Sequence, residues 1–144
     1  MIKVVPGPRL PKKENLHQAW MTFHIAKART ALDADFIIDQ LASDVAYESQ
    51  NAIDAIEGKE AVADYLRRRF DFLRDLRTKQ NIGEFLPGYV DIPKAKMHPC
   101  IIFRDEHYRQ QAVWLLTLND DNQINRINIC TIAPDPQTAV RISP

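Results

Sequence analysis

The chain of 144 residues has little of several features that would indicate a function directly. It has two cysteines, Cys100 and Cys130, both in apolar runs, so we expect buried thiols rather than a disulfide framework. Basic and acidic residues are equal at 19 each, so no overall field favours nucleic acid or an anionic membrane. No apolar run approaches the roughly 20 residues of a membrane-spanning helix. The apolar run near the start of the sequence, which includes Val4 and Val5, is too short for the core of a signal peptide. We therefore expect a cytoplasmic protein with a local site, no nucleic acid and no membrane partner.

Motifs for metal binding and for nucleophilic catalysis are also missing from the sequence. No pair of histidines has the spacing of a helical zinc site, so we predict neither a metal nor a cofactor. A Gly-x-Ser-x-Gly elbow is absent, and Ser49 has no evident His-acid partner along the chain. Chemistry based on an activated serine is therefore not expected.

The distribution of prolines and apolar residues predicts one domain with two flanking segments. Residues 1–15 contain three prolines and should form an extended arm, and residues 134–144 should form a tail. Between them, residues 16–133 are expected to fold as a single domain. The periodicity predicts helices at 16–32, 33–41 and 59–76, and strands at 45–49, 53–57, 100–104, 110–119 and 123–133. Residues 80–99 are broken by prolines and should hold at most two short strands, with a lid as one interpretation.

Helices first and a β-meander last predict an α+β fold in which a curved antiparallel sheet wraps the helices and encloses a pocket. The strand at 110–119 is apolar on both faces, with Trp114 on one side and Val113 and Leu115 on the other. An antiparallel sheet with one wet face should alternate apolar and polar residues, so something is expected to cover the second face. We predict a homodimer through that open face of the sheet.

Three stretches together resemble the nuclear-transport-factor-two-like superfamily, which includes SnoaL-like and steroid-isomerase-like domains. They are LDADFIIDQLASDVAYES, EGKEAVADYL and LTLNDDNQINRINI, and the resemblance covers about residues 20–133. It implies a cone-shaped, cystatin-like fold with a deep pocket, and often a dimer. Because the superfamily contains isomerases, cyclases, dehydratases and non-catalytic modules, the fold does not by itself indicate a reaction.

The steroid-isomerase branch implies three particular chemical groups at defined places. Its base would fall on Ser49, its oxyanion-hole tyrosine near Ile25, and its late aspartic acid near Trp114. All three groups differ in this chain, so we do not expect an isomerase of that type.

Arg69 is the most unusual side chain, because it lies among apolar residues such as Tyr65 and Leu73 on the predicted helix 59–76. An arginine inside a cavity can clamp a ligand carboxylate or phosphate through its planar guanidinium. The alternative is that its stem packs while the charged end reaches solvent or pairs with Glu48.

His24 and Tyr47 are the candidates for acid–base chemistry. The pKa of an unperturbed histidine is near neutral, but a half-buried helical histidine with a satisfied hydrogen bond is the alternative. Tyr47 and Ser49 share one side of a strand, and the resemblance places that side toward the pocket. There Tyr47 would donate to a ligand oxygen and Ser49 would position a ligand or a water, unless Tyr47 simply packs in the core.

The sequence thus predicts a pocket protein that binds a small ligand with an aromatic or acidic part. Cofactor-independent isomerisation, dehydration or cyclisation is the class of reaction expected if the protein is an enzyme. The alternative is a non-catalytic dimerisation or protein-interaction module with the same fold. The predicted ligand contacts are Trp20, His24, Tyr47, Ser49, Tyr65, Arg69 and Trp114.

Overall fold

The computed structural model describes residues 3–5, 16–49, 54–92, 95–107, 110–130 and 140–142. Within these ranges the chain forms helices α1 (Leu16–Ala31), α2 (Ala34–Asp39) and α3 (Lys59–Arg77). The strands are β1 (Lys3–Val5), β2 (Leu41–Ser49), β3 (Ile56–Glu57), β4 (Glu84–Ile92), β5 (Ala95–Arg104), β6 (Gln110–Leu118), β7 (Ile124–Cys130) and β8 (Val140–Ile142). Of the predicted arm and tail, only β1 and β8 fall within the described residues.

The strands form one sheet in the order β1-β8-β4-β5-β6-β7-β2-β3. The predicted α+β class is confirmed, but the sheet is mixed rather than wholly antiparallel. Strand β2 runs parallel to β7, with Tyr47 opposite Ile127, and β1 runs parallel to β8. Strands β2 and β7 are separated by most of the domain, so local sequence patterns carry no signal for their pairing.

The main core lies between the helices and one face of this sheet. Helix α1 packs against β4, β5 and β6, while α3 packs against β2 and β3. The buried side chains of α1 include Met21, Ile25 and Ala28, which recur every three or four residues, and Leu32 continues the pattern just after the helix. The largest fully buried side chain is Phe70 of α3.

A smaller core lies on the opposite face of the sheet. Val90, Cys100, Ile102 and Val113 are all fully buried there, and Leu115 packs against them. This part of the second apolar face of β6 is therefore already covered within one chain. It does not require a partner subunit, which was the argument for a homodimer through the sheet.

The expectation that the strands of residues 80–99 are short is wrong, although their number is two as predicted. Strands β4 and β5 form a long hairpin in which Pro87 lies opposite Ile101 and Tyr89 lies opposite Pro99. Each proline is tolerated because one side of it has no paired strand in the described register. On β5, pairing with β6 begins only at Ile101, beyond Pro99. On β4, pairing with β8 involves only Gly88 and Tyr89, beyond Pro87.

The predicted end of the second helix also shifts. Helix α2 ends at Asp39, and Leu41 begins β2 instead of completing the helix. A register irregularity between Leu41 and Ala46 hides the strand pattern of this segment. At the other end the structure confirms Asp33 as the start, since its carboxylate accepts from the amide of Phe36 at 3.1 Å. No helix in the described part of the chain is long and apolar enough to cross a membrane.

Candidate functional site between α1, α3 and the sheet

A cavity of about 350 Å³ lies between the helices and the inner face of the sheet. Its described wall comes from the end of α1, one side of α3, the loop at 80–83, and strands β2, β4, β5, β6 and β7. Aromatic and aliphatic side chains form most of this wall. Its rim includes the exposed residues Gln80, Asn81 and Glu106, so the cavity opens to solvent.

Four of the predicted ligand contacts line this cavity: Tyr47, Tyr65, Arg69 and Trp114. The ring centroids of Tyr47 and Tyr65 are 5.0 Å apart, and Trp114 meets Tyr47 edge-on at 6.1 Å. Trp114 also meets Phe85 edge-on at 5.4 Å. These contacts fix the orientation of four rings around one space.

The structure places Trp20 and His24 outside the cavity. Trp20 is 49% exposed on α1, and the His24 ring stacks against it with centroids 4.4 Å apart. His24 also contacts the rings of Phe23 and Phe36, at 5.3 and 6.1 Å. The buried stripe of α1 is rotated away from these aromatic residues, so they form a surface cluster instead of a pocket wall.

Ser49 is half-buried at the end of β2 and is likewise not part of the described cavity wall. Tyr47 lies on the same side of β2 and lines the cavity, as does Ile129, which lies opposite Ser49 on β7. The predicted role of Ser49 beside a ligand is therefore not supported by its position.

Tyr47 is held in its neutral form. Burial raises the pKa of its hydroxyl well above the ordinary value of 10, and the neighbouring Tyr65 raises it further. A tyrosine in this state donates a hydrogen bond and does not act as a base near neutral pH. Its hydroxyl also hydrogen-bonds with that of Tyr65, so the two side chains form one polar group in the cavity wall.

Arg29 also lines the cavity, and the sequence prediction missed it. Its guanidinium carbon lies 4.8 Å from the ring centroid of Phe70, 4.4 Å from that of Phe85 and 5.6 Å from that of Trp114. Its Nε is buried without a hydrogen-bond partner among the described residues. Burial lowers the pKa of this group from 12.5 to about 10.

A signal for Arg29 was present in the sequence. Arg29 follows Ile25 by four residues and Thr22 by seven, and both of these are buried. The same argument that singled out Arg69 on its helix would have singled out Arg29. This argument finds Arg29 only if the buried face of α1 is taken to contain Ile25 rather than the aromatic residues.

Arg69 contributes a second positive charge from α3. Its side chain is more exposed than predicted, and its guanidinium carbon lies 5.5 Å from the ring centroid of Phe72. The charge of Arg69 also lowers the pKa of Arg29. Glu106 contributes a carboxylate to the described wall. Its side chain is 48% exposed, and its Oε1 lies 3.6 Å from Nε2 of His107.

The turn that carries Arg29 is closed by backbone hydrogen bonds. The amide of Asp33 donates to the carbonyl of Ala28 at 2.8 Å, and the amide of Leu32 donates to that of Arg29 at 3.2 Å. Leu32 has a φ of 58°, a left-handed conformation usually given to glycine. Its side chain is fully buried, and this burial offsets the backbone cost.

Side chains of α3 and the backbone of β4 hold the same turn in place. Arg74 donates to the carbonyl of Leu32 at 2.8 Å, and Arg77 donates to that of Thr30 at 3.0 Å. The Thr30 hydroxyl donates to the carbonyl of Phe85 at 3.1 Å and accepts from the amide of Phe85 at 3.0 Å. Arg29 and Phe85 therefore keep a fixed relative position.

Metal binding has no visible basis in this site. Among the described residues there is no group of three or more histidine, cysteine, aspartate or glutamate side chains that could hold an ion.

Comparisons with solved structures identify the fold. A SnoaL-like protein of unknown function from Burkholderia thailandensis is 19% identical, with a TM-score of 0.58 over 83% of this chain and 97% of that one. An NTF2-like protein of unknown function from Cytophaga hutchinsonii is 10% identical, with a TM-score of 0.51 over 78% and 96%. A protein with a cystatin-like fold from Silicibacter pomeroyi is 17% identical, with a TM-score of 0.53 over 81% and 75%.

The chain therefore has the fold of the nuclear-transport-factor-two-like (NTF2-like) and SnoaL-like proteins, as the sequence resemblance predicted. At these identities the likeness shows the fold alone. No protein-family model and no curated protein matches the sequence.

Proposed function

We propose that the protein binds a small organic molecule in the cavity between α1, α3 and the sheet. The observation that supports this most is the cavity itself, about 350 Å³ in volume and open to solvent at its rim. Ligand pockets in proteins typically measure roughly 300–1,000 Å³ and combine apolar walls with a few polar groups. The described wall has that composition.

The proposed contacts are narrower than the set predicted from sequence. Phe85 and Trp114 would pack against the body of the ligand, and the neutral hydroxyl of Tyr47 would donate to one of its oxygens. Tyr65 and Arg69 would complete the polar side of the pocket. Trp20, His24 and Ser49 are left out because they do not line the cavity.

Catalysis by isomerisation, dehydration or cyclisation stays a prediction from the sequence resemblance. In the described wall such a reaction would depend on Tyr47 as a proton donor and on Glu106 as a base. His24, the other predicted acid–base group, does not line the cavity and is not part of this arrangement. The cytoplasmic location also stays a prediction.

The second candidate function is non-catalytic: the protein would form a homodimer or bind another protein. The exposed aromatic side chains that favour an interaction lie on helices, with Trp20 49% and Phe23 47% exposed on α1 and Phe72 57% exposed on α3. The predicted contact through the sheet face stays a prediction. Light scattering at tens of micromolar protein measures the solution mass, and a monomer there would contradict the dimer.

Thermal unfolding in the presence of a compound panel tests the proposed function. The panel pairs small aromatic and alicyclic carboxylic acids with their neutral amides. A compound at about 100 times its dissociation constant should stabilise the fold by roughly 2.7 kcal/mol, a shift of several degrees. Failure of every compound to raise the melting temperature would contradict the proposal.

A pair of variants on one strand shows whether the shift arises in the cavity. Ala112→Phe adds a ring to the cavity wall and should abolish the shift. Thr117→Phe adds the same ring at an exposed position of β6 and should leave the shift unchanged. A shift that survives Ala112→Phe would place the binding elsewhere.

A further inference from the structure

We infer that Arg29 recognises the carboxylate of the ligand, so that the cavity selects organic acids over their neutral analogues. This inference rests on the proposed function, since it names the class of molecule bound in the same cavity. It begins from a charge whose partner is missing. Among the described residues, the buried Nε of Arg29 has no hydrogen-bond acceptor, and no carboxylate forms an ion pair with its guanidinium.

Such a group is unusual in a folded protein. An arginine is rarely buried without a partner, because removing the charge from water costs free energy that an ion pair or hydrogen bonds normally offset. Two exposed arginines of α3 have carboxylate partners of this kind. Arg68 pairs with Asp64 at 3.0 Å, and Arg74 pairs with Asp71 at 2.8 Å. Arg29 is held in place by its turn but lacks an anion.

The surroundings of Arg29 compensate for only part of this cost. The rings of Phe70, Phe85 and Trp114 attract the cation, and its position in the last turn of α1 lets it interact with the helix dipole. Aromatic faces do not accept the in-plane N–H groups of a guanidinium, however. Those donors need oxygen atoms, and a carboxylate in the same plane accepts two of them at once.

The second cation strengthens the case for an anion. Arg69 is close enough to Arg29 to lower its pKa, so the two charges repel each other in the empty pocket. A ligand carboxylate between them would relieve that repulsion. Glu106 is a poor substitute, because it is half-exposed and lies beside His107.

The remaining wall indicates the rest of the molecule. Tyr47, Phe85, Phe103 and Trp114 present aromatic surface around the guanidinium. A planar aromatic or alicyclic body can pack against these rings while its acid group reaches Arg29. The ligand class is therefore a small monocarboxylic acid with a ring system.

Matched pairs of probes test this assignment. Benzoate, cyclohexanecarboxylate and 2-naphthoate are titrated by calorimetry against benzamide, cyclohexanecarboxamide and 2-naphthamide. Because a charge-assisted hydrogen bond is about twice as strong as a neutral one, each acid that binds should bind at least about tenfold more tightly than its amide. Equal affinities for acid and amide would overturn the role of Arg29 and leave the proposed function intact. Failure of all six to bind would overturn both.

Three variants identify the group responsible for the preference. Arg29→Met removes the charge but retains an apolar stem, and it should reduce the preference to within about twofold. Arg29→Lys keeps the charge without the planar fork and should give an intermediate preference. Lys27→Met removes a charge from the exposed side of the same helix and should change nothing.

A preference that persists in Arg29→Met would overturn the inference. Circular dichroism first verifies that each variant is folded. If Arg29→Met does not fold, Arg29→Lys and the wild-type comparison of acid with amide still decide the outcome.

Discussion

The guanidinium carbon of Arg29 lies 4.4 Å from the ring centroid of Phe85, and the two residues belong to elements that are fixed to each other by Thr30. A positive charge is thus held against an aromatic face inside the cavity. In the described part of the chain it has no acidic partner. This arrangement has consequences for stability as well as for binding.

Arg29→Met should stabilise the protein in the absence of a ligand. The substitution removes a buried, unpaired charge and leaves a flexible apolar side chain that packs against the same rings. We expect the free energy of unfolding to rise by about 1–2 kcal/mol, since loss of the desolvation cost outweighs the lost cation–π attraction. Urea denaturation measures the change, with Lys27→Met as the control for net charge. A loss of stability of similar size would contradict this interpretation of the site.

The gain in the free energy of unfolding from Arg29→Met should become smaller at high pH. Burial lowers the pKa of Arg29 in the folded state to about 10 from 12.5, so the folded protein releases this proton first. The cost of the buried charge is therefore fully present below about pH 10 and falls as the pH rises from there toward 12.5. The difference in unfolding free energy between variant and wild type, measured at pH 7, 9 and 11, should be smallest at pH 11. A constant difference would show that the charge is not the cause.

Gly83→Ala should destabilise the fold at the cavity rim. Gly83 has a φ of 86°, and a Cβ there would lie against the carbonyl of Arg104 and 2.8 Å from the Phe103 ring. Left-handed backbone and overpacking together should cost about 2–4 kcal/mol. Gly58→Ala is the matched control, because Gly58 has a φ of 92° but open space around it. It should cost only about 1–2 kcal/mol, and equal losses would contradict the steric argument.

Arg74→Ala should loosen the turn that carries Arg29. Arg74 of α3 donates to the carbonyl of Leu32, just after α1, at 2.8 Å. In the variant, that carbonyl loses this hydrogen-bond donor. The expected loss is about 1–2 kcal/mol, measured by urea denaturation. Arg68→Ala removes only an exposed pair with Asp64 and should cost less than about 0.5 kcal/mol. A loss for Arg74→Ala as small as that for Arg68→Ala would show that the turn does not depend on this contact.

Much of the fold could be predicted from local patterns. The order of helices and strands, the α+β class and the start of α2 at Asp33 all follow from periodicity and capping. The β4–β5 hairpin could not, because its prolines imitate a loop and are tolerated only through their particular places in the sheet. The parallel pairing of β2 with β7 depends on the whole topology.

The site was only partly predictable for a similar reason. Tyr47 and Trp114 were found because strand alternation assigns faces reliably. On α1, Trp20 was predicted to face the ligand but is 49% exposed, and the side of the helix that faces the cavity carries Arg29 instead. Helix rotation is fixed by tertiary packing, so a single sequence leaves it open when aromatic residues occupy more than one face.

A crystal structure of the wild-type protein with bound 2-naphthoate tests the central claim most directly. We predict electron density for the ring system beside Phe85 and Trp114, with both carboxylate oxygens about 2.9 Å from nitrogens of Arg29. A structure in which side chains fill the cavity and the Arg29 guanidinium pairs with a carboxylate of the protein would contradict it.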